Sequence, residues 1–364
     1  MDSLVAKLLE PKFFDAFVQD NMKLSTYKAA WKDEMNVEYC GAKVYQANLA
    51  EYAAAMVGSV IDKNGEKPTH RMPTINQITG AISHMADEWQ MDNDRLDTFY
   101  TLEGRYRDKY SAYNAAQRTA EFQKLIQFLF QPFEIAVIAP HKRIDMLYFE
   151  GLFKGTQTVS RTNNTAANVS YTYSIGVQQF KAAVAAWGNA SSTPIDDIYA
   201  IQAYAAAHGK TILKIRMSKG TFRKMCKSNQ FVGLFTMKLG KVDVKPNSIL
   251  SVADVNAYLE SVLLPTIQIE KDCYSTLADR TSVNLIPDDR VVFQCADRVA
   301  VLKAADPLES VDPLPNKTYS TYDDNLVGFW RDKHGRFVDY DMWATPVFNG
   351  KNDFYILKTD EVAE

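Results

Sequence analysis

Three observations predict a mixed α+β fold. One amphipathic helix of unusual length lies within residues 113–155, segments of strand pattern stand on both sides of it, and helix and strand signals alternate from about residue 176 to residue 326. In the long helix, apolar residues recur at Phe122, Leu125, Ile126, Leu129, Phe130 and Phe133, and again at Ile144, Leu147, Tyr148 and Leu152, the spacing of one helical face. Pro132 and Pro140 fall inside the pattern and predict a kink or two collinear helices, because proline lacks an amide donor and crowds the preceding turn. Gly155 stands where a left-handed cap closes a helix. At 1.5 Å per residue the helix would run about 50–60 Å, more than the width of a compact domain.

Ahead of it, the first 35 residues hold two short amphipathic segments, one led by Ser3 and one by Pro11, with an apolar stripe at Phe13, Phe14 and Phe17. A terminal stripe this aromatic docks either on its own domain or on a neighbouring subunit. From Asn36 to Met72 the pattern is extended. Val37, Tyr39, Val44 and Tyr45 read as strand, and residues 57–61 lead into Asp62-Lys63-Asn64-Gly65-Glu66-Lys67, a hairpin whose Asn-Gly supplies the positive φ angles of a tight turn. Its charged tip predicts a surface hairpin, or a projecting one if a partner receives it. Residues 74–111 are mixed and polar. The acids Asp92, Asp94 and Asp97 put Glu103 at the twelfth position of a calcium loop, but Leu96 and Asp97 occupy positions that need an oxygen ligand and a glycine. The run therefore reads as a solvated helix start.

Beyond the long helix, residues 156–175 read as a second hairpin, with Thr158, Ser160, Val169, Tyr171 and Tyr173 alternating around an Asn- and Ala-rich turn. Thr193 and Pro194 open a helix that buries Ile195, Ile198, Ile201 and Ala205 and ends at Gly209; strand 211–217 follows. Ser218 is placed to cap a short helix through Phe222 and Met225, and Ser251 to cap another that buries Val255, Tyr258, Leu259 and Val262. Strands are expected at 266–270 and 291–294. After the proline-punctuated connection at Pro307, Pro313 and Pro315, aromatic strands are expected at Phe329-Trp330, 337–343 and 354–357, the last two joined at Asn349-Gly350. These terminal strands are expected to return to sheets begun earlier.

Composition and motifs exclude more than they assign. With 364 residues, 46% hydrophobic, the chain has material for two or more domains, and a net charge of −3 argues against nucleic-acid binding through a broad basic surface. No run approaches the roughly 18 apolar residues of a membrane span, and Met1-Asp2-Ser3 lacks the order of a signal peptide, so a cytoplasmic chain with no membrane partner is expected. Cys40, Cys226, Cys273 and Cys295 are far apart and read as reduced, buried thiols. The histidines His70, His84, His141, His208 and His334 are isolated and read as surface or satisfied side chains. Gly209-Lys210-Thr211 imitates a phosphate loop, but Tyr204 replaces its first glycine. No nucleophile elbow is present, and neither cofactor, metal nor catalytic residue is expected.

The order of elements resembles the major capsid proteins of tailed bacteriophages, the Johnson fold. The local likeness is to lambda-type coat proteins. It rests on Pro194-Ile195-Asp196-Asp197-Ile198, on 212–220 (Ile-Leu-Lys-Ile-Arg-Met-Ser-Lys-Gly), on 285–293 (Leu-Ile-Pro-Asp-Asp-Arg-Val-Val-Phe) and on 339–346 (Asp-Tyr-Asp-Met-Trp-Ala-Thr-Pro). The resemblance implies an N-terminal arm (1–43), an extended loop (44–73), a peripheral domain with a spine helix (74–175), an axial domain (176–326) and C-terminal strands (327–364) that return to both domains.

It also implies a structural protein, not an enzyme. Such a chain assembles with itself as hexamers and pentamers into an icosahedral head around double-stranded DNA, which it touches only non-specifically. The arm residues Phe13, Phe14 and Phe17 and the loop tip Lys63, Asn64, Gly65, Glu66 and Lys67 would then contact sister subunits. Neighbouring capsomers and portal, scaffold and decoration proteins would be the partners, in a virion assembled in the host cytoplasm. Some shells of this family join a loop lysine to a neighbour's asparagine, which would involve Lys63 or Lys67 with Asn349 or Asn352. An encapsulin-type compartment and an α/β enzyme are the alternatives.

Overall fold

The computed structural model describes residues 27–50, 75–91, 93–164, 169–238, 251–277, 279–332 and 335–363. The chain enters through helix α1 (Trp31–Glu34), which runs directly into strand β1 (Met35–Tyr39). Strands β2 (Val44–Ala50), β3 (Ile75–Ala81) and β4 (His84–Met91) follow, then helices α2 (Asn93–Lys109) and α3 (Ala115–Lys154). Next come β5 (Thr156–Val159), β6 (Tyr171–Ser174), β7 (Gln179–Ala182), α4 (Pro194–Ala207), β8 (Lys214–Met217), α5 (Lys219–Cys226), α6 (Asn229–Lys238) and α7 (Val252–Ser261). The chain closes with β9 (Thr266–Ile269), β10 (Tyr274–Thr276), β11 (Ser282–Asn284), β12 (Arg290–Gln294), β13 (Ala300–Ala305), α8 (Leu308–Val311), β14 (Lys317–Tyr322), β15 (Asn325–Asp332), β16 (Gly335–Phe348) and β17 (Phe354–Val362).

Helix α3 is the long element expected from the apolar stripe. Its 40 residues give about 60 Å of rod. Asn114 and Gln117 form a reciprocal capping box at one end, and Gly155, at φ 71°, closes the other. Of the two expectations at the prolines, a pair of collinear helices is corrected: one helix runs through both. Each proline frees the carbonyl four residues earlier, and each freed carbonyl has found a donor. Arg95 Nη2 donates to Phe128 O at 2.9 Å, opposite Pro132. Asn325 Nδ2 donates to Ala136 O at 3.1 Å and to Val137 O at 3.3 Å, opposite Pro140. Asn325 is fully buried. Asn325→Ala is therefore expected to destabilise the subunit by about 1–3 kcal/mol, the cost of stranding a buried acceptor; urea denaturation measures it.

Two sheets pack around this rod. In the six-stranded sheet, β16 pairs antiparallel with β15, β4 and β13, while β1 joins β13 in parallel and β14 joins β15. The apolar face of α3 packs on it through Phe133, Tyr148, Phe149 and Leu152 against Phe329, Val338, Met342 and Phe348. Gly151 lies against the Phe348 ring, and a Cβ there would overlap it. Gly151→Ala is expected to cost about 1–3 kcal/mol by overpacking, seen as a lower urea midpoint with an unchanged slope.

The five-stranded sheet has the order β7-β17-β12-β8-β9. Its strands alternate between two cores, as a period of two requires. Phe354, Ile356 and Val292 face the α3 core, whereas Tyr355, Leu357, Val291 and Phe293 face a second core built with α4, α5, α6 and α7. Both faces are covered, so β12 and β17 read as continuous apolar runs.

Several local expectations hold. Residues 156–175 form the hairpin β5–β6, and Ser218 and Ser251 accept the amides of Thr221 and Asp254 at the starts of α5 and α7. Asp94 stands in the first turn of α2, and the four cysteines are free thiols, although only Cys226 is buried and Cys40, Cys273 and Cys295 are partly exposed; burial pushes Cys226 and Cys295 up to about 12. Others need correcting. Thr193 makes no capping hydrogen bond, its hydroxyl being buried without a partner, and the strand expected from residue 211 starts at Lys214. Strands β3 and β4 stand in a stretch that read as mixed and polar, because β4 presents His84, Asp87 and Glu88 to solvent.

Candidate assembly site at the arm anchor

The features that distinguish this molecule are where its N-terminal segment is tied down. Asp145 sits on the apolar face of α3 between Ile144 and Met146, 1% exposed. Its carboxylate accepts from Tyr27 Oη at 2.7 Å, Ala30 N at 3.3 Å and Trp31 N at 2.8 Å. Burial raises the Asp145 pKa, and the three donors act against that rise. One carboxylate thus fixes the point from which the first 26 residues depart.

Four residues on, the segment is tied again. Arg216 on β8 is fully buried and grips Glu34 with both terminal nitrogens, each at 2.8 Å, while its Nε donates to Glu270 at 2.7 Å. Tyr148 of α3 donates to Glu34 at 2.9 Å, and Gln294 of β12 accepts from Arg216 at 3.2 Å. Burial would raise the Glu34 pKa, but the Arg216 guanidinium overrides it and holds the carboxyl below the usual range. This cluster joins α1, α3 and the five-stranded sheet in one charge-assisted network. Lys32 pairs with Asp323, and Tyr39 donates to Asp324, at the turn between β14 and β15.

His141 corrects an expectation. It is neither on the surface nor satisfied: it is 3% exposed, stacks on Trp31 at 5.8 Å, and neither ring nitrogen has a partner. Burial lowers its pKa to about 4. His84 and His208 behave as expected, bonded to Asp341 and Tyr204 O.

A groove of about 670 Å³ runs along the outer side of α3, lined by Trp89, Ile135, Ile138, Lys142, Arg143 and Leu277 among others. Lys142 also lies over the Tyr27 ring at 5.6 Å. No helix among the described residues is long and apolar enough to cross a membrane.

The residues expected to make contacts lie elsewhere. Phe13, Phe14 and Phe17, and Lys63, Asn64, Gly65, Glu66 and Lys67, are outside the described residues. What is described is the base of the loop: β2 and β3 pair antiparallel from Val44↔Ala81 to Ala50↔Ile75, directly flanking residues 51–74. Sequence reasoning missed Asp145 and Arg216, although both carried a signal, a charge inside an otherwise apolar face or strand.

No family model matches the sequence, and neither does any curated protein. Solved structures do match. The chain superposes on a prophage protein from E. coli CFT073 that bears a provisional capsid name, with a TM-score of 0.55 and 12% identity over 94% of this chain and 98% of that one. A phage-related protein from Bordetella bronchiseptica RB50 gives 0.48 at 8% identity over 95% and 97%. The capsid protein of cyanophage A-1(L) gives 0.47 at 11% over 91% and 92%. The likeness to the prophage protein from E. coli CFT073 shows the fold: this chain shares the fold of that protein, the Johnson fold.

Proposed function

We propose that this chain is the major capsid protein of a tailed bacteriophage. It is a structural protein that assembles with itself, as hexamers and pentamers, into the icosahedral head around double-stranded DNA. The observation that carries the reading is the extent of the fold likeness, 94% of this chain and 98% of a capsid-named prophage protein, which leaves little of either unmatched. The double anchorage of the N-terminal segment at Asp145 and Arg216 supports it, because a limb that grips a neighbour must be held firmly at its root.

In this reading residues 1–43 are the arm and 44–73 the extended loop. Residues 74–175 form the peripheral domain with α3 as spine, 176–326 the axial domain, and 327–364 the strands that return to both. Phe13, Phe14 and Phe17 and the tip Lys63, Asn64, Gly65, Glu66 and Lys67 contact sister copies. DNA is touched non-specifically, as a net charge of −3 favours. Portal, scaffold and decoration proteins are the further partners, in a virion assembled in the host cytoplasm.

Sedimentation of the expressed chain tests this. Particles far heavier than one subunit are expected, and deletion of residues 1–26 is expected to leave a folded subunit that no longer forms them. A monomer at every concentration would contradict the proposal.

A further inference from the structure

One charged cluster is not explained by assembly. On one face of the six-stranded sheet, Lys317 of β14 reaches across β15 toward Asp339 of β16. Its Nζ lies 2.5 Å from Asp339 Oδ2 and 2.6 Å from Glu309 Oε2 of α8, and the lysine side chain is only 7% exposed. Trp330 and Tyr319 wall the ammonium at 4.7 and 5.3 Å, and Phe337 stacks on Trp330 at 5.4 Å. The strand between is open at one residue: a Cβ on Gly328 would run into Lys317 Cε and Asp339 Oδ1. Glycine at that position is what lets the two side chains meet.

We propose that Lys317 and Asp339 are the partners of an intramolecular isopeptide bond, with Glu309 as the proton carrier. The cluster holds one cation against two carboxyls, and their surroundings separate them. Burial raises the Asp339 carboxyl. For Glu309 burial is the largest effect and acts upward too, but the hydrogen bonds from Lys317 and Tyr319 and the Lys317 charge together outweigh it and hold that carboxyl below its usual range. Pairs of acids driven apart in this way divide the roles of acid and base. Asp339 is thus the carboxyl that takes up a proton more readily and accepts attack, and Glu309 the base.

The step balances as a condensation. Glu309 takes a proton from the Lys317 ammonium, and the freed Nζ lone pair attacks Asp339 Cγ. The tetrahedral intermediate gives up a second Nζ proton to solvent as it expels the Asp339 hydroxyl, which leaves as water with the proton returned from Glu309, so the amide nitrogen keeps one hydrogen. An N–C bond forms, a C–O bond breaks, and nothing is oxidised or reduced. Fixing amine and acid in contact inside one fold supplies the effective concentration that condensation in water lacks. Burial acts to lower the lysine pKa, but the two carboxylates outweigh it and keep the ammonium favoured, so the reaction proceeds slowly from a minor neutral pair.

This inference does not rest on the capsid reading, since the bond lies within one chain and leaves a monomer band on a denaturing gel. The test is the intact mass of folded wild-type protein after prolonged incubation at neutral pH, followed by tryptic mapping. The expected result is a mass lower by one water, with a branched peptide joining residues 304–331 to 337–351 and no cleavage after Lys317. Glu309→Gln and Gly328→Ala are expected to carry the full mass of their own sequences. A folded wild-type chain at full mass would overturn the proposal, as would a water loss mapped to a succinimide. Water loss retained in E309Q would remove Glu309 from its role.

Discussion

Replacing Arg216 with alanine is expected to destabilise the subunit by about 3–5 kcal/mol, the usual cost of breaking a buried ion cluster from one side. The magnitude comes from what is left behind. Glu34 and Glu270 are bound by the guanidinium at 2.7–2.8 Å in a site where Arg216 itself is fully buried, so its removal strands two carboxylates with little water to replace it. Urea denaturation of the unassembled subunit measures the loss. Removing all three charges together, as Glu34→Gln, Arg216→Met and Glu270→Gln, is expected to recover part of it, because the penalty lies in the unpaired charge more than in the missing attraction. A single variant as stable as wild type would show that the network does not join helix α1 to the sheet. The pH dependence has a definite sign. Since the Glu34 pKa is depressed by folding, its contribution is present above the ordinary glutamate range and disappears as pH falls through the lowered value.

His141→Phe carries the second large effect, and its direction is stabilising. In the wild type the imidazole is neutral and buried, with a pKa near 4 against an ordinary 6.5. Above pH 6.5 neither the folded nor the unfolded state is protonated. Between 6.5 and 4 only the unfolded chain takes up the proton, so stability falls by up to about 3 kcal/mol; below 4 the loss is complete. Phenylalanine keeps the stack on Trp31 and removes both unpartnered nitrogens. The expected result is a variant at least as stable at pH 7 and about 3 kcal/mol more stable near pH 4. Taking the difference between the two pH profiles cancels the carboxylates, which titrate in both proteins. Parallel profiles would mean that the ring is hydrated and not buried.

Much of the secondary structure was legible because it follows local rules. The α3 stripe, the Gly155 cap, the serine caps at Ser218 and Ser251 and the aromatic-rich run at 354–357 each depend on neighbours a few positions away. The errors share another cause. The prolines of α3 predicted a kink or two collinear helices, and the carbonyls they free in the one continuous helix are served by Arg95 and Asn325, the second of them 189 positions from the carbonyl it serves. Arg216 and Glu34 are 182 positions apart, and Asp145 and Trp31 are 114 apart. A buried charge looks in sequence like a solvated one until its partner is known. His141 shows the opposite error, since isolation in sequence suggested a surface residue whereas Pro140 and Ile144 place it in the core.

In the proposed function, the N-terminal segment and the residues flanked by β2 and β3 hold sister copies of this chain. Electron cryomicroscopy of purified particles tests it most directly. The account predicts closed icosahedral shells of pentamers and hexamers, with residues 1–26 and 51–74 of each copy lying on its neighbours. Isolated subunits, with both segments packed against their own body around a polar cleft, would contradict it.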